Sequence, residues 1–97
     1  MAMLTVLYGR PSDPDAFRDH YVNQHLPLAK ALPGATDLRY TLTVDTLSGE
    51  NVFAAFHATF GTVDEIHAAL ASVEGKAAQE DVARFADGGV TILVEHG

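Results

Sequence analysis

At 97 residues the chain has the length of one domain, and a core this small gains from a partner. Six basic against thirteen acidic residues give a formal charge of -7, which repels phosphate backbones and anionic lipid, so neither nucleic acid nor a membrane is an expected partner. Cysteine is absent, no apolar run nears the roughly 20 residues of a membrane span, and MAMLTVLYG lacks the build of a signal peptide, so a cytoplasmic protein is expected.

Met3–Gly9 is a short apolar run ending in glycine and reads as a strand. Asp13 is placed to cap a helix whose first turn holds Pro14, where a missing N–H costs nothing. That helix is expected to run to about Gln24. At 100° per residue Phe17, Tyr21 and Gln24 form its buried stripe, and His20 and His25 fall on opposite flanks. Pro27 disfavours helical geometry at Leu26, so the helix should end near His25. A short helical turn, LAKAL, then runs to Pro33-Gly34.

From Thr36 to Asp45, Leu38, Tyr40, Leu42 and Val44 alternate with polar residues, the pattern of a half-buried strand. Ser48–Asn51 is a turn and Val52–Phe60 a second strand. Thr62-Val-Asp-Glu65 has the form of a capping box opening a helix with Val63, Ile66 and Leu70 inward. Ser72–Gly75 reads as a bend, after which a further helix buries Ala78, Val82 and Phe85. Asp87-Gly-Gly89 stops it, and Val90–Val94 is the last strand.

The order is β-α-β-β-α-β, which among small α+β domains is the ferredoxin-like arrangement of helices on one face of an antiparallel sheet. One such domain over residues 1–97 is expected. The strands carry apolar residues on both faces: Phe53, Ala55 and Thr59 oppose Ala54, Phe56, Ala58 and Phe60, and Met3 and Leu7 oppose Leu4, Val6 and Tyr8. Two apolar faces need a second layer, and another copy of the chain is the expected cover.

Among the five histidines, His67 borders a helix stripe and His96 sits at the terminus. His20 and His25, five apart on a regular helix, would not chelate one metal. No metal-ligand spacing is present, and no cofactor is expected. His57 interrupts an apolar strand and reads either as a satisfied core histidine or as a polar contact inside a ligand cavity. Tyr8, Tyr21 and Tyr40 are similarly placed to be core or to line a site. Nucleophile-elbow, phosphate-loop, paired-carboxylate and dinucleotide motifs are all absent, so the residues alone give no reaction.

Two blocks, VLYGRPSDPDAFRDHYVNQHLPLAKALPG and SVEGKAAQEDVARFADGGVTILVEHG, resemble the amino- and carboxy-terminal signatures of the EthD family. The resemblance implies a dimeric α/β barrel, in which two ferredoxin-like sheets pack face to face. That group includes small-molecule isomerases, cofactor-independent monooxygenases and haem-handling proteins. The name-giving member is associated with ethyl tert-butyl ether degradation beside a cytochrome P450 system. His25 and the following Pro27, Leu28, Pro33 and Gly34 match the family segment, which makes His25 the candidate acid/base group, with His57, Tyr40, Tyr8 and Tyr21 as candidate ligand contacts. Three departures bear on activity. His20 stands where relatives commonly have tyrosine, Val73 where they have proline, and no cysteine supplies the thiol that some isomerase relatives use. The resemblance implies either a degradative enzyme, or its accessory, acting on a small molecule, or a non-catalytic homodimer that binds an apolar metabolite.

Overall fold

The computed structural model describes all 97 residues. In chain order it contains β1 (Ala2–Tyr8), α1 (Pro14–His20), a π-helical turn (Tyr21–His25), α2 (Leu26–Lys30), β2 (Thr36–Thr41), β3 (Ala54–Phe60), α3 (Val63–Ala71), α4 (Val73–Phe85) and β4 (Val90–Glu95). The strands form one antiparallel sheet in the order β2-β3-β1-β4. This is the ferredoxin-like α+β fold that the sequence pattern predicts. No helix is long and apolar enough to cross a membrane.

The helix starts follow from side chains that satisfy free N–H groups. The Asp13 carboxylate accepts from the Ala16 N–H at 3.1 Å, and the Thr62 hydroxyl accepts from the Glu65 N–H at 3.1 Å. Ser72 serves two helices at once: its hydroxyl donates to the Ala69 carbonyl that ends α3 and accepts from the Gly75 N–H that begins α4. The predicted break at Ser72–Gly75 is therefore a tight corner. Gly75 is buried there, and a Cβ on it would run into the carbonyls of Ala69 and Leu70.

The core lies between the sheet and the helices. Leu4 and Tyr8 of β1 and Ala54, Phe56, Ala58 and Phe60 of β3 are buried against Phe17, Tyr21, Leu26, Ile66 and Phe85. Its aromatic rings meet mostly edge-on, with Tyr8 to Phe17 at 5.4 Å and Phe17 to Phe85 at 5.0 Å. The opposite sheet face carries Met3, Thr5, Leu7, Ala55, His57, Thr59 and Leu93, and no helix covers it.

Four local expectations need correction. Pro27 does not end the helix: Tyr21–His25 widens into a π turn, in which the Leu26 N–H reaches back five residues to the Tyr21 carbonyl, and α2 continues through the proline. The wider turn accommodates a ring that an unbroken α-helix would drive into the preceding carbonyl. The same turn places His25 in the buried stripe and leaves Gln24 exposed. Strand β2 stops at Thr41, short of the Asp45 that the alternation suggests, and its start is irregular, with Asp37 at φ 48 and a register shift against β3 between Thr36 and Arg39. Finally, Phe53 does not share the open face with His57. It precedes β3 and packs its ring 5.3 Å from Phe17.

Candidate functional site

The best-connected buried polar group is one that the sequence reading missed, Asp81 of α4. Only 1% exposed, it accepts hydrogen bonds from two imidazoles. His20 Nε2 lies 3.0 Å from each carboxylate oxygen, and His25 Nδ1 lies 2.9 Å from Oδ2. Arg84, whose side chain is mostly in solvent, reaches Oδ1 at 3.5 Å.

The π turn explains this convergence. On a regular helix residues five apart point about 140° from one another. A turn closed by i to i+5 hydrogen bonds brings such residues to the same side. His20 and His25 therefore flank one carboxylate instead of lying on opposite flanks. Phe85 holds both rings, with centroids 5.0 Å from His20 and 4.9 Å from His25.

Electrostatics assigns the protons. Burial alone would raise the Asp81 carboxyl, but the hydrogen bonds and charges of His20 and His25 outweigh it and hold Asp81 below the ordinary carboxylate range. An ionised carboxylate only accepts, so His20 Nε2 and His25 Nδ1 both carry hydrogens. His25 is pushed below its ordinary 6.5, mainly because burial disfavours the imidazolium, and Asp81 offsets only part of that. It is thus neutral near pH 7, with Nδ1–H fixed on Asp81 and Nε2 left as an unshared lone pair. A ring held this way can take a proton from a neighbour, or return one, without turning.

His25 is 5% exposed and lines a pocket of about 40 Å³ between helices and sheet, together with Leu4, Tyr8, Phe56, Gln79 and Val82. Exposed Gln79 lies at its rim. On the far side of Asp81, His20 lines a separate surface cleft of about 280 Å³ with Ser12, Asp13, Arg84 and Asp87. No group of three or more His, Asp or Glu residues is arranged to hold a metal ion.

The other candidates divide. Tyr8 lines the His25 pocket. Tyr21 stands beside it, its ring 5.4 Å from His25, and its buried hydroxyl has no hydrogen-bond partner. Burial raises the pKa of both tyrosines and keeps them neutral. Tyr40 is 42% exposed and touches Tyr21 at 5.5 Å, but does not reach the pocket. His57 belongs to neither wall. It lies on the uncovered sheet face, 3.2 Å from the Thr5 hydroxyl, which in turn donates to Glu95 at 3.0 Å. Of the four candidate ligand contacts, only Tyr8 therefore lines the pocket with His25.

One signal for Asp81 was present in the sequence. It falls on the Ala78, Val82 and Phe85 stripe of α4, and a carboxylate on an apolar stripe demands a hydrogen-bonding partner.

The family model that matches the chain is the EthD domain, over residues 10–89. An "uncharacterized 11.0 kDa protein in thcB-thcC intergenic region" of Rhodococcus erythropolis is 38% identical over 96 residues, 96% of this chain and 91% of that one. The crystal structure of an EthD family protein from Bacillus halodurans superposes with a TM-score of 0.89 at 31% identity, covering 100% of this chain and 98% of its own. A "dimeric ferredoxin-like protein" from Thermobifida fusca shares the fold, with a TM-score of 0.74 at 13% identity over 99% and 90% of the two chains. A family match over residues 10–89 and a relative 38% identical along nearly the whole length place the chain in the EthD family.

Proposed function

We propose that this EthD protein is a homodimer that binds a small organic molecule beside His25, with His25 Nε2 as the acid/base group and Asp81 as the residue that orients it. The observation that carries this reading is the 2.9 Å hydrogen bond from His25 Nδ1 to a buried carboxylate, made at the wall of an apolar pocket. A carboxylate behind an imidazole fixes the tautomer and supports the imidazolium that forms on proton uptake. The neutral tyrosine Tyr8 lines the same pocket and supplies a hydroxyl toward a ligand oxygen.

The chemistry favours some ligands over others. An ether oxygen carries no proton for Nε2 to take, so the site suits a molecule with an acidic O–H or a C–H beside a carbonyl. Dimerisation through the uncovered sheet face agrees with exposed Leu93 and half-buried Met3, Leu7 and Ala55 on that face and with the description of the Thermobifida fusca neighbour as dimeric.

A second reading is a binder without turnover, favoured by a pocket whose lining is mostly hydrophobic. Acetylacetone in deuterated water separates the two, because general-base chemistry exchanges its central C–H. The proposal expects exchange above buffer rate, lost in His25→Ala and reduced in Asp81→Asn, with both variants folded by circular dichroism. Shift changes at pocket residues without exchange would favour the binder. Neither exchange nor shifts, for acetylacetone and for a set of small phenols and ketones, would contradict both.

A further inference from the structure

We infer that His20 sets the basicity of His25 through the carboxylate that the two rings share, so that the surface cleft around His20 controls the pocket around His25. The inference rests on the reading of His25 as the acid/base group and extends it to a positioning residue. Asp81 has two oxygens and serves two imidazoles, with His20 equidistant from both oxygens at 3.0 Å and His25 on Oδ2 at 2.9 Å. Whatever charge His20 carries is therefore felt at His25 across a single buried group. The two rings open on different sides: His25 on the apolar pocket, and His20, with 22% of its side chain exposed, on the polar cleft.

The direction follows from Coulomb's law. Since Nε2 of His20 is committed to Asp81, a proton from solvent arrives at Nδ1 and makes the ring cationic. That cation satisfies Asp81 and repels a second positive charge on His25, so His25 becomes a weaker base. Loss of the proton releases Asp81 to support an imidazolium at His25. The remaining groups around the trio leave this coupling in place. Arg84 is solvent-exposed at 3.5 Å from Oδ1, and Tyr8 and Tyr21 are held neutral by burial. Asp13 and Asp87 face His20 from the cleft, and the Ser12 hydroxyl and N–H are bound to Asp87. Phe85 packs against both rings, so neither turns away as the charge changes.

The test is a nitrogen-detected NMR titration of both rings in ligand-free protein, comparing the wild type with His20→Gln. Glutamine keeps an N–H donor for Asp81 but cannot take a charge. The inference expects the His25 midpoint to rise in the variant by about one unit, because a cation that opposes a second proton can no longer form across Asp81. It also expects the wild-type His25 curve to show two coupled steps in place of one, because the two rings share a single carboxylate. An unchanged His25 midpoint in a folded variant would overturn it. If the variant does not fold, the wild-type curve decides alone: two independent single-step titrations overturn the inference. Because no ligand is present, a failure to bind or exchange acetylacetone leaves this result standing, and a failed titration leaves the binding result standing.

Discussion

Asp81 concentrates much of what the fold invests in polarity. Replacing it by alanine leaves two imidazole N–H groups without their acceptor in a half-dry site, a loss of about 3 kcal/mol for buried donors left unsatisfied. Urea unfolding of Asp81→Ala should show that drop, while Asp64→Ala, on an exposed turn of α3, should change stability little. The pH dependence follows from two lowered values. His25 titrates below 6.5 when folded, so between that lowered value and 6.5 the unfolded chain binds a proton that the native state does not. Stability is then full above about pH 7 and falls as pH drops through that window. Asp81, held below 3.8 in the fold, extends the loss to more acidic pH. Thermal melts from pH 7.5 to 5 should record the decline, and His25→Gln should flatten its upper part. A wild-type melting temperature that stays level over this range would contradict the burial of a neutral His25.

At the scale of elements, local chemistry made most of the fold legible. The caps at Asp13 and Thr62, the break at Ser72 and the division of β1 and β3 into two apolar faces, Phe53 apart, stand where the sequence places them. The site was less legible for one reason, which is the π turn. Proline rules and a 100° projection assume a regular helix, and both fail across Tyr21–His25. That single irregularity hid the continuation through Pro27 and the convergence of His25 with His20 on Asp81. The corner at Gly75 yields a prediction of its own. Gly75→Ala forces a methyl group against the Ala69 and Leu70 carbonyls, so α3 and α4 must separate and the pocket wall must shift. Ordinarily a glycine-to-alanine change in a helix interior stabilises by about 0.5–1 kcal/mol. Here the sign should reverse, with a lower urea midpoint, and a rise in the midpoint would count against the tight corner.

For the whole molecule, the two sheet faces should answer to charge in different ways. Phe56 is buried against the helices, so Phe56→Asp should abolish folding rather than assembly. Leu93 lies on the uncovered face of the edge strand β4, 41% exposed and paired with Thr5 of β1. In a dimer formed through this face, Leu93→Lys should yield a folded monomer by light scattering, with far-ultraviolet circular dichroism unchanged. A wild-type chain that scatters as a monomer at micromolar concentration would remove the proposed assembly while leaving the His25 pocket as described.

Whether His25 presents a base to the pocket is decided by which of its nitrogens holds the hydrogen. Long-range nitrogen–proton correlation spectra at pH 7 report it without any ligand. They should show a neutral ring protonated at Nδ1, with Nε2 carrying an acceptor's chemical shift and Asp81→Asn disturbing that preference. A ring protonated at Nε2, or an imidazolium at pH 7, would contradict the claim that Asp81 presents His25 to the pocket as a base.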